Sequence, residues 1–440
     1  MNLIYNVKDK PKFSQVLVFA FQQVLAILAA TIAVPSIVGN GMSQSAALFG
    51  AGVGTIVYLL FTKFNSPVFL GSSFAFLGSM FAAFASAASM ALGYLGLVMG
   101  AVFAGLVYVI LSIVVKVAGV KWINKLMPPV IIGPTVAIIG LSLAGNAIGD
   151  LTKGSVGTTS PYIALLCGLV TLAVTMLASV YGKKMLKMIP FIIGIGAGYA
   201  LAAILTVIGN VAGIDTLKVI NFALFENMQW VPDFTFVTAV KGFADLDANY
   251  IVTIAFAYVP VAFVVFAEHI ADHKNLSSII GQDLLEEPGL NRTLLGDGVG
   301  SMVGALFGGC PNTTYGESVG CVAISGNASV VTILTTAVMA IAAAFVAPFV
   351  TFLATIPSCV MGGVCIALYG FIAVSGLKMI QSVDLNDNRN LFPVSTILIA
   401  GVGGLSISFT LFGGTITITT IACALILGIL ANVMLSKKAK

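Results

Sequence analysis

The stretch Cys310–Gly320, CPNTTYGESVG, decides how this sequence is expected to fold. It lies between two apolar runs, and its NTTYGE portion carries five polar side chains around a glycine, the last of which is the carboxylate of Glu317. A membrane-spanning segment is expected at this place, and a charge at the centre of a bilayer costs about 2.5–3.5 kcal/mol on insertion scales. Some other part of the chain must therefore compensate for Glu317.

Composition explains why a membrane segment is expected there. Of the 440 residues, 59% are hydrophobic and only 8% are charged, whereas soluble domains have roughly 25% charged residues. Apolar runs of about 18–25 residues recur along the chain, and a transmembrane helix needs about 20. We therefore predict an all-α polytopic membrane protein whose main partner is the lipid bilayer. The net charge of +4, with basic residues dispersed in short loops, excludes a nucleic-acid-binding protein.

Hydropathy and turn residues divide the chain into about fourteen segments. With a cytoplasmic N-terminus and alternating segments, 17 of the 20 lysines and arginines lie inside, and Lys153, Lys218 and Lys241 lie outside. This excess indicates an even number of spans, with both termini in the cytoplasm. The predicted apolar cores are 13–35, 44–62, 68–88, 91–117, 127–148, 160–181, 188–210, 250–272, 293–309, 312–325, 329–352, 356–377, 393–413 and 415–435.

A polar insert at 210–249 separates seven segments from seven. An odd number per half means that the second half enters the membrane from the opposite side, as in an inverted repeat. The fifth segments of the two halves, MPPVIIG (Met127–Gly133) and IPSCVMG (Ile356–Gly362), open with the same proline-to-glycine spacing. We expect a first seven-segment repeat at 1–213, an extracellular or periplasmic connector at 214–247 and a second seven-segment repeat at 248–440.

The third segment of each half is not expected to form a continuous helix. SPVFLGSSFAF (Ser66–Phe76) and GCPNTTYGES (Gly309–Ser318) both contain proline, small polar residues, glycine and an aromatic residue. Extended backbone at membrane depth is tolerated only where it is buried in protein or lines a cavity. We expect short antiparallel strands in segments 3 and 10, followed by helices that aim their N-termini at a ligand. The alternative for GSSFAF alone is a small-residue packing face.

Four of the 16 acidic residues do not clearly fall in loops, at span ends or in the insert. Glu268 and Asp272 are four residues apart and share a helix face. Two carboxylates on one face repel in a low dielectric, so at least one is expected to hold a proton near neutral pH. Hydropathy places Glu268 near the cytoplasmic end of its span, unless the helix runs on through 276–280. For Asp297, in LLGDGVG, we predict a helix-entry or loop role.

The only two histidines, His269 and His273, are also four residues apart. They raise the alternative of an intramembrane metalloenzyme that binds zinc. In the metalloprotease pattern the glutamate lies between the two histidines, but here Glu268 precedes the first. We therefore expect no metal site and no catalytic residue, and we place both histidines as polar groups near a membrane face.

Four motifs resemble those of the nucleobase/ascorbate transporter family, closest to its bacterial uracil permease branch. They are GSSFAF, AEH with a polar residue four positions after the glutamate, DLLEEPGL and PNTTYGE. The resemblance runs over nearly the whole chain, from FAFQQVLA to the last spans. It implies homodimers in the bacterial inner membrane, with fourteen spans in two inverted sevens. It also implies a core domain of segments 1–4 and 8–11 that moves against a gate domain of segments 5–7 and 12–14.

The resemblance further implies a secondary active transporter that imports uracil by proton symport, with H⁺ as coupling ion and no cofactor. Glu268 and Glu317 would accept the ring N–H groups, while Gly316 and the backbone near Phe74 would donate to the carbonyl oxygens. Glu268 and Asp272 would form the proton-coupling pair. Uracil has two N–H donors and two carbonyl acceptors around a flat ring, which agrees with this set. The implied substrate-binding residues are Phe74, Glu268, Tyr315, Gly316, Glu317 and Ser73.

Three departures from the family pattern leave substrate and coupling open. Gln22-Gln23 stands where many members have Gln-His, Asp272 stands where some uracil permeases have histidine, and the motif ends in Ser325-Gly326. A xanthine or urate carrier of the same family is the nearest alternative. A sulfate-type anion carrier would need basic residues at membrane depth, and the predicted spans have none. A channel, and Na⁺ in place of H⁺, also stay open at this point.

Overall fold

The computed structural model describes residues 3–119, 122, 127–183, 185–411 and 414–435 and is mostly helical. Within these ranges eight helices are long and apolar enough to cross a membrane. A ninth span results if Val330–Ala343 and Ala347–Thr355, which meet at a bend of 84°, are taken as one. The chain is therefore a multi-pass membrane protein.

Serine caps and prolines mark several helix starts in the first half. The side chains of Ser43 and Ser89 accept hydrogen bonds from backbone N–H groups in the first turns of the helices Gln44–Phe61 and Met90–Ala118. The helices Pro129–Ser142, Pro161–Tyr181 and Pro190–Ala212 each carry proline at the first helical position. The start of a helix leaves backbone N–H groups unpaired. A serine cap accepts a hydrogen bond from one of them, and proline has no N–H group to pair. The elements are α1 (Phe13–Val38), α2 (Gln44–Phe61), β1 (Leu70–Ser72), α3 (Leu77–Ala85), α4 (Met90–Ala118), α5 (Pro129–Ser142), α6 (Ala144–Asp150), α7 (Pro161–Tyr181), α8 (Met185–Met188) and α9 (Pro190–Ala212).

The connector between the halves contains only short helical turns, including α10 (Thr235–Ala239). The second half then begins with a helix capped by Asp247, whose side chain accepts from the N–H of Tyr250. The remaining elements are α11 (Ala248–Ile280), α12 (Leu290–Gly308), β2 (Asn312–Thr314), α13 (Gly316–Ser325), α14 (Val330–Ala343), α15 (Ala347–Thr355), α16 (Ser358–Ile380), α17 (Asn388–Val402), β3 (Ile407–Leu411), β4 (Gly414–Ile418) and α18 (Thr420–Leu435).

The length of α11 corrects the position that hydropathy gives Glu268. The helix has 33 residues and ends only at Ile280, twelve residues beyond Glu268, or about 18 Å at 1.5 Å per residue. Glu268 is therefore well inside the helix, and the alternative that the helix runs on is confirmed.

Strands β1 and β2 lie in the two stretches that were predicted to depart from helix, Ser66–Phe76 and Gly309–Ser318. They pair antiparallel, with Leu70 opposite Thr314 and Ser72 opposite Asn312. Two backbone N–H groups of these strands donate hydrogen bonds to side-chain hydroxyl groups of neighbouring helices. The N–H of Leu70 donates to the hydroxyl of Thr55 at 2.9 Å, and the N–H of Asn312 donates to the hydroxyl of Ser301 at 2.9 Å. These bonds allow irregular backbone to exist inside a membrane protein.

A second strand pair was not predicted. Strands β3 and β4 pair antiparallel between α17, which ends at Val402, and α18, which begins at Thr420. The prediction of two continuous apolar helices at 393–413 and 415–435 is therefore wrong in this region, of which 412–413 lie outside the described residues. The sequence TITI within β4 explains the difference, because consecutive β-branched residues favour strand over helix.

The helices pack in two groups. One contains α1–α4 with α11–α14, and the other contains α5, α7 and α9 with α16–α18. Glycines bring α2 and α12 together: a Cβ at Gly54 would lie 2.7 Å from the carbonyl oxygen of Gly300. Such small-residue contacts are the usual way for membrane helices to approach closely. Helices α1 and α11 also touch the second group, so they lie where the two groups meet.

Candidate functional site

A cavity of about 300 Å³ lies between the two groups of helices. One wall comes from α1, β1, α11, β2 and α13, and the opposite wall comes from α5, α7, α8, α9 and α16. Both interrupted segments contribute to the first wall. A cavity of this size, with polar groups converging in it, suits a small-molecule ligand.

The residues that line the cavity include most of the predicted site. Five of the six implied substrate-binding residues are among them, and Asp272 of the predicted proton-coupling pair lines the cavity too. The structure thus brings together groups from three distant parts of the sequence. The five are Phe74, Glu268, Tyr315, Gly316 and Glu317.

Ser73 is the predicted residue that is not in the cavity lining. Its neighbour Ser72 lines the cavity instead. The backbone N–H of Ser73 donates to the carbonyl oxygen of Pro311 at 2.9 Å. This amide is therefore used in holding the two interrupted segments together and is not available to a ligand.

Three carboxylates share the cavity. Glu268 is half-buried, and its buried Oε2 has no hydrogen-bond partner within the described part of the chain. One turn later, Asp272 accepts a hydrogen bond from the hydroxyl of Thr314 at 2.7 Å. Glu317 lies in the first turn of α13. This arrangement offers acceptors to N–H groups of a ligand.

The start of α13 supplies hydrogen-bond donors. Tyr315 is extended (φ −104°, ψ 118°) and the helix begins at Gly316, so the first N–H groups of the helix have no partner within it. Tyr315 is held in place because its hydroxyl donates to the carbonyl oxygen of Ser72 at 2.9 Å. Phe74, in the helical turn that follows β1, packs edge-on against Tyr369 with ring centroids 5.5 Å apart. The site thus combines acceptors, backbone donors and flat apolar surfaces.

Gln23 belongs to this region although sequence reasoning assigned it no contact. It is buried in α1, and its Nε2 donates to the hydroxyl and to the carbonyl oxygen of Ser318. Ser318 follows Glu317 directly, so Gln23 ties α1 to the first turn of α13. The position of Gln23, where the family often has histidine, was the available signal. The partner, 295 residues away, could not be read from the sequence.

The two histidines, predicted as polar groups near a membrane face, lie in the interior of the protein. Both are fully buried and their rings stack at 4.0 Å. His269 Nδ1 is 2.7 Å from Asp297 Oδ2, its Nε2 is 3.0 Å from the hydroxyl of Thr293, and His273 Nε2 is 2.8 Å from the hydroxyl of Tyr58. The histidines are thus held by hydrogen bonds from two other helices.

The helix-entry or loop role for Asp297 is also wrong. The residue lies in the middle of α12 and its side chain is 1% exposed. The free-energy cost of burying this carboxyl group is reduced because His269 provides a hydrogen-bond partner. In the ranges that the structure describes, no three side chains of His, Cys, Asp or Glu are grouped to hold a metal ion.

Fold and cavity together define a multi-pass membrane protein with a ligand-sized cavity between two groups of helices. The transmembrane domain of the cyanobacterial bicarbonate transporter BicA has a similar fold, with a TM-score of 0.67 over 97% of this chain and 100% of that chain at 15% identity. The murine anion transporter Slc26a9 in its inward-facing state matches with a TM-score of 0.66 over 97% of this chain and 69% of that chain, at 12% sequence identity. At such identities the likeness concerns the fold alone.

Sequence comparison identifies the family. The model of a permease family matches residues 14–408. The uracil permeases of Bacillus caldolyticus and Bacillus subtilis (strain 168) are 39% and 36% identical over 434 and 437 residues, each match covering 98% of this chain and 94% of the relative. The uracil permease of Escherichia coli (strain K12) is 34% identical over 427 residues, covering 96% and 92%. The chain belongs to this permease family, which confirms the resemblance.

Membership in a permease family also decides between transporter and enzyme. The relatives are permeases, so the protein is a transporter, and the metalloenzyme alternative built on His269 and His273 is wrong. The buried partners of the two histidines give the physical reason, since Asp297 and Tyr58 already occupy their ring nitrogens.

Proposed function

We propose that the chain imports uracil across the bacterial inner membrane by proton symport. The observation that carries the proposal is that Glu268 and Glu317 share one cavity with Gly316, Phe74 and Tyr315. The uracil permeases among its relatives support the choice of base.

The chemistry of the cavity matches the edge of a uracil ring. Glu268 and Glu317 accept the two ring N–H groups, and charge-assisted hydrogen bonds of this kind are the strong ones. The amide at Gly316 and those at the break near Phe74 donate to the two carbonyl oxygens. Phe74 and Tyr315 pack against the ring. Loss of one partner would leave a buried polar group unsatisfied, at about 1–3 kcal/mol.

Proton coupling uses Glu268 and Asp272, which lie one turn apart on α11 and both line the cavity. Like charges so close favour a protonated state, and a transported proton is shared between the two. Substrate binding favours the protonated form. Because such coupling is reciprocal, lower pH tightens substrate binding.

Transport requires two bodies that move relative to each other. Fourteen segments form two inverted repeats, 1–213 and 248–440, joined by the connector 214–247. Segments 1–4 and 8–11 form the core domain, segments 5–7 and 12–14 form the gate domain, and the core moves against the gate. The separate packing of α1–α4 with α11–α14 supports this division. The protein works as a homodimer with both termini in the cytoplasm, in line with the 17 lysines and arginines assigned to that side.

Uptake of radiolabelled uracil into proteoliposomes tests the proposal. Uptake is expected to saturate, to require an inward proton gradient without Na⁺, and to be lost in Glu317→Ala. Excess unlabelled uracil should compete, whereas xanthine, hypoxanthine and urate should not. Competition by a purine would shift the substrate to the xanthine or urate alternative. Flux that neither saturates nor depends on a gradient would indicate a channel instead.

A further inference from the structure

A second, much smaller cavity lies within the first group of helices. It measures about 10 Å³ and is lined by α4, α11, α12, β2 and the turn before α3. It shares no lining residue with the larger cavity. Its polar lining comes from four residues, and the rest of the lining is apolar or glycine. The four are Tyr108, Asp297, Ser301 and Asn312.

Two polar atoms of this lining are buried without a partner. Asp297 uses Oδ2 for His269, but no described residue hydrogen-bonds its Oδ1. The hydroxyl of Tyr108 is likewise buried with no hydrogen-bond partner among the described residues. The two side chains are only 1% and 4% exposed, and leaving such groups unsatisfied is costly. Both atoms belong to residues that line this one cavity.

The size and chemistry of this cavity fit one water molecule. A cavity of about 10–15 Å³ holds one water, provided that 2–4 polar groups surround it. Asp297 Oδ1 accepts, and the hydroxyl of Tyr108 donates or accepts. Ser301 Oγ already accepts the N–H of Asn312 at 2.9 Å, which leaves its own proton to donate.

We propose that this water completes a bridge in which Asp297 positions the two elements that carry the substrate site. On one side Asp297 holds His269, the neighbour of Glu268, and so fixes the rotation of α11. On the other side it reaches Ser301 through the water, and Ser301 holds the first residue of β2. Asp297 is thus a positioning residue that sets Glu268 and Asp272 relative to β2 and the start of α13, without touching the substrate.

A matched pair of tyrosines separates this bridge from ordinary packing. Tyr258 is, like Tyr108, a fully buried tyrosine whose hydroxyl has no partner among the described residues. Tyr258 does not line the small cavity. Tyr108→Phe therefore removes a ligand of the water, whereas Tyr258→Phe removes a hydroxyl of the same kind elsewhere.

Thermal unfolding of the purified, ligand-free protein tests the bridge. Tyr108→Phe and Asp297→Asn should each lower Tm, and the double variant should lose clearly less than the sum, because both act on the same water. Tyr258→Phe combined with Asp297→Asn should give simply additive changes. Additive losses for Tyr108→Phe with Asp297→Asn, or no loss with Tyr108→Phe, would overturn the proposal.

Two further readouts complete the test. A map that resolves other buried waters should show a peak about 2.7–3.2 Å from Asp297 Oδ1 and from the Tyr108 hydroxyl; its absence would overturn the water site. The positioning role rests on the proposed function. Asp297→Asn should weaken uracil binding about tenfold in protein that remains folded, and unchanged affinity would contradict it. If wild-type protein failed to bind uracil, the proposed function would fail while the unfolding result stood.

Discussion

The hydroxyl of Thr314 donates a hydrogen bond of 2.7 Å to Asp272 and so joins strand β2 to helix α11. Both residues line the cavity between the two groups of helices. The bond fixes one carboxylate of the proposed proton-coupling pair to the strand that precedes the start of α13. A change at Asp272 can thereby reach Gly316 and Glu317, which lie two and three residues after Thr314 along the backbone.

Thr314→Val removes the donor while keeping the branched shape of the side chain. Asp272 then loses a hydrogen-bond partner in a half-buried site, which is expected to cost about 1–3 kcal/mol. Thermal unfolding of the purified protein measures the loss. Thr313→Val is the matched control, because the hydroxyl of Thr313 is buried with no partner in the described ranges. An equal loss of stability in both variants would show that the Thr314 bond contributes nothing.

Asp272→Asn tests the proposed proton relay. Uptake by the wild type should fall as pH rises, because the proposed carrier needs a proton on Glu268 or Asp272. The amide cannot ionise, so the variant should keep more of its uptake at higher pH and lose most of its pH dependence. Asp283→Asn, an exposed residue beyond the end of α11, should behave as wild type. A pH profile for Asp272→Asn that matches the wild type would remove Asp272 from the relay.

Much of the candidate site could be predicted because polar and helix-disfavouring residues within an apolar run can be recognised from a short stretch of sequence. The breaks at Ser66–Phe76 and Gly309–Ser318 carry residues that disfavour helix, and strands β1 and β2 lie within them. The sequence does not tell that the amide of Ser73 pairs with Pro311 and that Ser72 lines the cavity. Such pairing depends on the register of the two breaks.

Gly316→Ala separates an effect on binding from an effect on folding. A Cβ at this position would meet only Asp272 Oδ1, at 3.9 Å, so the protein tolerates it. The methyl group would instead stand beside the amide that is proposed to donate to uracil. Uracil affinity should fall severalfold while Tm without ligand stays near that of the wild type. Gly370→Ala, on α16 with nothing within 4 Å, is the control, and equal affinities for the two variants would argue against the amide contact.

Gln23→Leu tests the tie between α1 and the first turn of α13. It removes the donor to Ser318 next to Glu317, so uracil affinity should decrease. Ser318→Ala should act in the same direction, and the double variant should be little worse than Gln23→Leu because both changes break one contact. The neighbouring Gln22, whose Oε1 is without a partner in the described structure, serves as control through Gln22→Leu. Full additivity of the first two variants would show that they act separately.

The remaining errors concern contacts between distant elements. Asp297 lies in a glycine-rich stretch that resembles a helix entry, and only the fold brings it to His269 on another helix. Likewise, hydropathy does not distinguish an apolar strand from a short apolar helix, so Ile407–Ile418 was read as membrane helix. Partners and strand register are set by the packing of whole helices, which a single sequence does not display.

The proposed uracil site and its proton coupling are tested most directly by measuring how uracil changes the Tm of the purified protein at two pH values. Uracil should raise the Tm of the wild type, more strongly at the lower pH, and should have no effect on Glu317→Ala, because binding to the native state alone stabilises it. Xanthine, hypoxanthine and urate should leave Tm unchanged. Stabilisation by uracil that is equal in Glu317→Ala, or that does not depend on pH, would contradict the site or the coupling.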